Sequence, residues 1–466
     1  MMKLPNERTG PTGNGRGSGN PNPEGTLRLN AFAGRKRWWI VALLGAAIAN
    51  SYLDRNTLAV AVNAIRQTFP ISDSDFARLN SYFLFAYALM YVGGGKLIDA
   101  LGTRRGFLLI TVFWSLAVMS HGLATGVAGL AISRLLLGIG EGGGFPAITK
   151  AVSEWFPARE RSTAIGIVNA GTAVGGIVAP PLIALILSYD GWPLAEPWRW
   201  VFFLTGSLGL LWAIWWLRAY HPAAQHPRLS QVEREEIAEV VETHATAATG
   251  TPEPGIPWLR LFTYRQVWGL MLCKALGDAV WYFIAFWLPK YLMDARGFDI
   301  REVGAFAWLP WAAAGIGCLV VGSFSSALIQ RGLPINAARK IALGVAVSLM
   351  PVLLLVPHLP GTWVLVPFMV AYFGQQAWST LVMTLPTDLF PRRAVGAVAG
   401  LVGFGGAMGG IIFGELSGRY LDAHPLDYGP IFLVASVLHV VSFLVILGTI
   451  PRIEPVPVPE QAVARG

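Results

Sequence analysis

A chain of 466 residues that is 54% hydrophobic and only 13% charged is far more apolar than a water-soluble core requires. Its net charge of +8 would suit a nucleic-acid binder by total alone, but the basic residues flank alternate ends of apolar runs instead of forming one patch, which excludes that class. The two cysteines, Cys273 and Cys318, fall inside apolar runs where a thiol packs as a small hydrophobe; neither a disulfide nor a metal site is expected, and redox compartment stays open.

Residues 1–34, rich in Gly, Asn and Pro, read as a disordered tail without the short apolar region and cleavage site of a signal peptide. Apolar runs then recur at the length of about 20 residues that a helix needs to cross a bilayer. Six are predicted over Trp38–Val62, Phe76–Ile98, Gly106–Ala124, Val127–Val152, Thr163–Leu187 and Trp198–Leu217. Six more follow over Val267–Leu292, Val303–Ile329, Ile341–Val356, Thr362–Leu385, Ala394–Leu416 and Ile431–Ile450. The organisation is thus an N-terminal bundle (35–217), a linker (218–262), a C-terminal bundle (263–451) and a short tail (452–466). Basic residues such as Arg37, Arg104, Arg105, Lys150, Arg339 and Arg392 place both termini and the linker on the cytoplasmic side. Within the linker, Ser230 and Glu233 form a capping-box pattern that predicts a short amphipathic helix, with a plain solvated linker as the alternative.

Ionisable residues inside spanning segments cost about 2.5–3.5 kcal/mol each on insertion scales and face the bundle interior, so they are the site candidates. Asp54 and Arg55 lie in the first run, Arg134 and Glu141 in the fourth, Lys274 and Asp278 in the seventh. Neighbours on a helix diverge by about 100°, so Asp54 and Arg55 occupy adjacent faces, Asp54 with Asn50 and Arg55 with Ser51 and Tyr52. A bent contact between the two is a candidate resting state. Arg134 and Glu141, two turns apart, share a face. Glu141 sits among glycines in "GIGEGGGF" with no cation within a turn on its own helix, which suits a carboxyl that picks up and releases a proton. A permanently neutral, hydrogen-bonded glutamic acid is the other reading. Lys274 and Asp278, four apart, form either a self-neutralising structural pair or part of a site.

The halves repeat. "EWFPARERSTAIGIVNAGTAVGG" (154–176) aligns without a gap on "DLFPRRAVGAVAGLVGFGGAMGG" (388–410), matching Gly171, Gly175 and Gly176 to Gly405, Gly409 and Gly410. Such duplication implies two bundles about an axis along the membrane normal, with the substrate site between them near mid-membrane. The glycines have small-xxx-small spacing, for which close helix packing is the favoured reading over ligand contact. At the same offset Glu141 falls on Gln375, a carboxyl facing its isosteric amide. For a polyhydroxylated ligand, Asn169, Thr172, Gln375, Gln376 and Ser379 offer hydrogen bonds, and Trp281 and Trp378 offer stacking surfaces, although helix packing also accounts for each aromatic.

"GKLIDALGTRRG" (95–106) resembles the cytoplasmic loop of the major facilitator superfamily; the match carries over to Asp99, Gly102, Arg104 and Arg105 as a conformational latch. In the second half Ser326 replaces the aspartate, which makes the latch lopsided. "SYLDRNTLAVA", "SRLLLGIGEGGGFPA", "SEWFPARERSTAIGI", "FWLPKYL" and "AWSTLVMTLPTDLFPRRAVG" further resemble the anion:cation symporter family, most closely its bacterial hexuronate branch, over residues 38–450. The resemblance implies an all-α membrane protein with 12 transmembrane helices in two six-helix bundles. It also implies a monomer in the bacterial inner membrane that takes up a small organic anion with protons as coupling ion and no cofactor. On the matching positions, Asp54 and Glu141 are the proton-coupling pair, Arg55 binds the substrate carboxylate, and Tyr52 and Tyr87 line the same cavity. Thr172 departs from the glutamine some relatives carry there.

The resulting expectation is a proton symporter for glucuronate or galacturonate, in which protonation of Asp54 frees the charge of Arg55. Rivals are carriers of an aldonate, a glucarate-like diacid or an aromatic acid; a diacid would require a second unpaired cation, for which Lys274 is the candidate. A drug:proton antiporter is disfavoured because "GTAVGGIVAPP" lacks that class's GPxxGG signature. A non-transporting sensor is disfavoured by the absence of a sizeable signalling domain, and an enzyme by the lack of a nucleophile–base or metal-ligand cluster.

Overall fold

The computed structural model describes residues 36–156, 158–194, 196–223 and 258–456. The N-terminal tail, the C-terminal tail beyond residue 456 and the linker helix expected near Ser230 lie outside the described residues, as does the side chain of Asp99. The described residues are helical throughout, without strands. The first bundle is α1 (Lys36–Arg66), α2 (Asp73–Leu101), α3 (Thr103–His121), α4 (Val127–Gly142), α5 (Gly144–Trp155), α6 (Ala158–Leu187) and α7 (Pro197–Ala219). After the short α8 (Trp258–Leu261) come α9 (Arg265–Asp294), α10 (Ile300–Phe306), α11 (Leu309–Gln330), α12 (Ile335–Ser348), a 3₁₀ segment (Met350–His358), α13 (Leu365–Leu389), α14 (Arg392–Ala423) and α15 (Gly429–Thr449). Taking α4 with α5, α10 with α11 and α12 with its 3₁₀ extension, these make the 12 expected spans.

Three spans are broken where the sequence predicted single helices, each for a local reason. The fourth turns at Gly143 within the run Gly142–Gly144, where backbone entropy opposes a continuous helix. The eighth is interrupted just before Pro310, which cannot donate into the preceding turn. Pro351 opens and Pro357 lies within the 3₁₀ extension of the ninth. The tight turn from α2 to α3 uses Gly102 at φ 74°, and its counterpart after α11 uses Gly332 at φ 91°, both backbone conformations that disfavour a side chain.

The duplicated glycines do the packing. A Cβ on Gly171 or Gly175 of α6 would fall on the carbonyl oxygens of Gly45 and Ala49 in α1. In the second bundle a Cβ on Gly405 or Gly409 of α14 would meet those of Met271 and Ala275 in α9. The same motif therefore seats the fifth span on the first and the eleventh on the seventh, through backbone-to-backbone contact that only glycine allows. Gly409→Val is expected to destabilise the protein by at least about 1–3 kcal/mol, the usual cost of overpacking, because the obstacle is main chain and cannot swing away. Thermal unfolding in detergent checks this; an unchanged midpoint would mean that α9 and α14 are farther apart.

At the end where α1 finishes and α2 begins, ion pairs join the two bundles. Arg66 of α1 contacts Asp73 of α2 at 2.6 Å and Asp294 of α9 at 3.3 Å. Lys290 of α9, itself 1% exposed, contacts Asp73 at 2.8 Å and Asp294 at 2.6 Å. Asn63 donates to Asp294 at 2.6 Å, and Asp422 of α14 accepts the α2 backbone N–H groups of Asp73 and Ser74 at 2.7 and 3.1 Å. With alternating charges and a helix N-terminus capped by the opposite bundle, this end is bolted shut.

Candidate functional site

Between the bundles lies a cavity of about 310 Å³. Glu141 reaches it because glycines bring its helix close to its neighbours: a Cβ on Gly138 would fall on the Phe83 carbonyl oxygen of α2, and Gly140 packs on the Trp114 backbone of α3. The glycine-rich setting of Glu141 is thus the means by which a carboxyl is delivered to α1.

There it meets Arg55. Arg55 Nε donates to Glu141 Oε2 at 2.6 Å, and Ser51 Oγ, one turn earlier on α1, donates to the same oxygen at 2.8 Å. The Glu141 side chain is fully buried, its Oε1 without a hydrogen-bond partner, whereas Arg55 keeps 10% exposure on the cavity wall. The guanidinium lies 4.7 Å from the ring centroid of Tyr52, 4.6 Å from that of Tyr87 and 5.4 Å from that of Phe83. Among the described residues the two Nη groups of Arg55 have no acceptor. A cation clamped through Nε, with its terminal fork unengaged at a cavity wall, is arranged to receive a carboxylate in bidentate fashion.

Two expectations are corrected by this geometry. Glu141 has no cation within a turn on its own helix, but it is paired across helices with Arg55. The resting partner of Arg55 is Glu141, not Asp54: Asp54 is 1% exposed, accepts from Asn50 Nδ2 at 3.0 Å on its own face of α1, and does not line the cavity. The physical reason is the rotation of about 100° between successive side chains, which turns Asp54 toward the interior of its own bundle. Arg134 is 1% exposed, lies 5.8 Å over the Phe83 ring within electrostatic reach of Glu141 and Asp54, and makes no hydrogen bond among the described residues.

From the second bundle, Lys274 Nζ contacts Asp278 Oδ1 at 2.9 Å and donates to Ser379 Oγ at 2.6 Å. Tyr52, Tyr87, Asn169, Thr172, Trp281, Gln375, Gln376 and Ser379 all line the cavity, so Glu141 and its repeat counterpart Gln375 do share it. Trp378 does not: it is fully buried beneath Gly277, its ring 5.1 Å from that of His439, and acts in packing. Sequence reasoning missed Ser51 as a Glu141 partner, Tyr282 on the wall, and His439, whose Nε2 meets Gln375 Oε1. The signal for His439 was a lone imidazole in the middle of a spanning run. Of the latch residues, Gly102 makes its turn, Arg104 Nη2 donates to the Leu217 carbonyl at 2.6 Å, and Arg105 is exposed.

The model of the family described as "Major Facilitator Superfamily" matches residues 44–414. The chain belongs to the major facilitator superfamily. It is 30% identical over 417 residues to the "Hexuronate transporter" of Escherichia coli (strain K12), covering 88% of this chain and 93% of that protein. It is 32% identical over 316 residues to the "Galacturonate transporter" of Dickeya chrysanthemi, covering 67% and 89%. Among solved structures, a bacterial homologue of the human lysosomal transporter Spinster superposes with a TM-score of 0.65 at 19% identity, covering 89% of this chain and 95% of that one, which shows the shared fold. This major facilitator protein is accordingly a multi-pass membrane transporter and not an enzyme, related to carriers of sugar acids.

Proposed function

We propose that this transporter carries a hexuronate into the cell together with protons, by alternating access in the bacterial inner membrane. The observation that carries the reading is the Arg55–Glu141 pair: a cavity cation whose only acidic partner among the described residues is a buried carboxylate at 2.6 Å, and whose Nη groups have no acceptor among them. A proton on Glu141 releases Arg55, and the substrate carboxylate takes its place. Buried ion pairs that exchange partners in this way avoid leaving either charge uncompensated. Asp54, buried behind Arg55, is assigned the second proton of the family pattern. Tyr52 and Tyr87 orient the guanidinium, while Asn169, Thr172, Gln376 and Ser379 supply hydroxyl partners.

The distribution of basic residues supports cytoplasmic termini, which makes the α1–α2 end external. The network of Arg66, Asp73, Lys290 and Asp294 then closes the outer gate, and the protein is inward-facing. Asp99, Gly102, Arg104 and Arg105 would hold the opposite end in the outward-facing half of the cycle. A diacid is disfavoured as substrate because Lys274, the other cation on the cavity wall among the described residues, is already engaged by Asp278 and Ser379.

The test is uptake of labelled glucuronate and galacturonate by proteoliposomes with and without an imposed proton gradient. Accumulation above the equilibrium level only with an inwardly directed gradient is expected. Gradient-independent equilibration would overturn proton coupling, and absence of uptake would overturn the substrate assignment.

A further inference from the structure

Among the described residues the charged groups lining the cavity are Arg55, Glu141, Lys274 and Asp278, whose formal charges cancel. One protonation, at Glu141, adds a single positive charge and thus matches a single carboxylate. The second pair has no evident part in that exchange. Lys274 and Asp278 are nonetheless 6% and 7% exposed on the cavity wall, a costly place for two charges unless they are used.

The pair is also held in register from behind. Gln375 Nε2 faces Asp278 Oδ1 at 3.5 Å, and the carbonyl of the same amide meets His439 Nε2 in the bundle interior. This orients the Gln375 amide with its NH₂ toward Asp278. Lys274 Nζ sits 5.4 Å over the Trp378 ring and is fixed by Ser379 at 2.6 Å. Close packing completes the support: a Cβ on Gly406 would fall on Asp278 Oδ2. The result is a fixed donor beside a fixed acceptor, 2.9 Å apart, opposite the guanidinium-bearing wall of the other bundle.

Resting on the proposed hexuronate reading, we infer that the Lys274–Asp278 pair reads the end of the substrate remote from Arg55, accepting hydroxyls there and rejecting a second carboxylate. A hydroxyl both donates and accepts, so it satisfies an adjacent carboxylate and ammonium without disturbing their charge balance. A second carboxylate would have to displace Asp278 from Lys274 and leave it buried and unpaired against another anion, a repulsive element of the kind that sets specificity. Asp278 is therefore the residue that restricts the site to monocarboxylates.

The experiment compares two ligands of the same carbon chain, glucuronate and the dicarboxylate glucarate, as inhibitors of labelled glucuronate counterflow in proteoliposomes at fixed pH. Asp278→Asn keeps the shape but frees Lys274, and is expected to improve glucarate relative to glucuronate by about tenfold or more, the scale of one unopposed buried charge contact. Lys274→Gln combined with Asp278→Asn removes both charges, avoids leaving one buried alone, and is expected to lose that gain while glucuronate binds more weakly. An unchanged glucarate-to-glucuronate ratio in Asp278→Asn overturns the inference. So does a gain that persists in the double variant, since Lys274 would then not be the receptor. If Asp278→Asn does not fold, the double variant decides through glucuronate alone: affinity equal to wild type makes the pair structural. Wild-type protein inhibited by neither compound overturns the hexuronate reading itself, an outcome distinct from a wild type that takes glucuronate while the ratio stays fixed.

Discussion

Glu141→Gln is expected to abolish accumulation of hexuronate against its gradient while leaving counterflow exchange intact. In the wild type Glu141 Oε2 holds Arg55 Nε at 2.6 Å and accepts from Ser51 at 2.8 Å, so on the proposed function substrate and Glu141 compete for one cation. With a single competing proton site, linkage makes hexuronate affinity fall by about tenfold per pH unit on the alkaline side of that titration. Glutamine is isosteric, accepts from Ser51 and Arg55 through its carbonyl, and carries no charge to be displaced. The variant should therefore bind hexuronate at least as tightly as the protonated wild type, with a flat pH profile. Uphill accumulation by the variant would remove Glu141 from the coupling step and leave Asp54 as the coupling group.

Arg55→Ala is expected to abolish hexuronate binding. Truncating one partner of a hydrogen-bonded buried charge pair costs about 2–5 kcal/mol, or roughly 30-fold or more in affinity. Here the loss falls on the only cavity cation among the described residues with an unengaged donor fork, and it also leaves Glu141 buried without its cationic partner. Glu141 then holds its proton, so the variant should show neither binding nor substrate-linked proton movement. Arg55→Lys would not rescue it fully, because an ammonium is a point charge without the planar fork that offers a carboxylate two parallel donors. Unchanged affinity in Arg55→Ala would place the carboxylate elsewhere, with Lys274 as the next candidate.

The sequence already contained the fold's main relations, because they depend on local pattern. Apolar length marked the spans, and the repeated Gly171/Gly175 and Gly405/Gly409 spacing marked the two close helix contacts that build the bundles. The breaks at Gly143 and before Pro310 and Pro351 were within reach of the same reasoning, since Gly and Pro interrupt helices in membranes as in water, but apolar length alone runs through them. The site was legible as a set of costly residues, not as a set of contacts. Arg55 and Glu141 are 86 positions apart, and their pairing depends on the rotation and depth of two helices, which no single-helix pattern encodes. The adjacency of Asp54 and Arg55 in the chain pointed instead to a contact that their divergent faces do not make. The network of Arg66, Asp73, Lys290 and Asp294 has no local signature in the sequence, because these residues sit near helix ends, where charge is ordinary. Its meaning appears only when residues from both bundles meet.

In the proposed cycle a proton on Glu141 and a carboxylate on Arg55 arrive together. This coupling is tested most directly by adding hexuronate to purified protein in weakly buffered solution above the titration range of Glu141 and measuring proton uptake. About one proton taken up per hexuronate bound at this site is expected in the wild type, and none at this site in Glu141→Gln despite retained binding. Hexuronate binding without proton uptake, or the same uptake in both proteins, would contradict it.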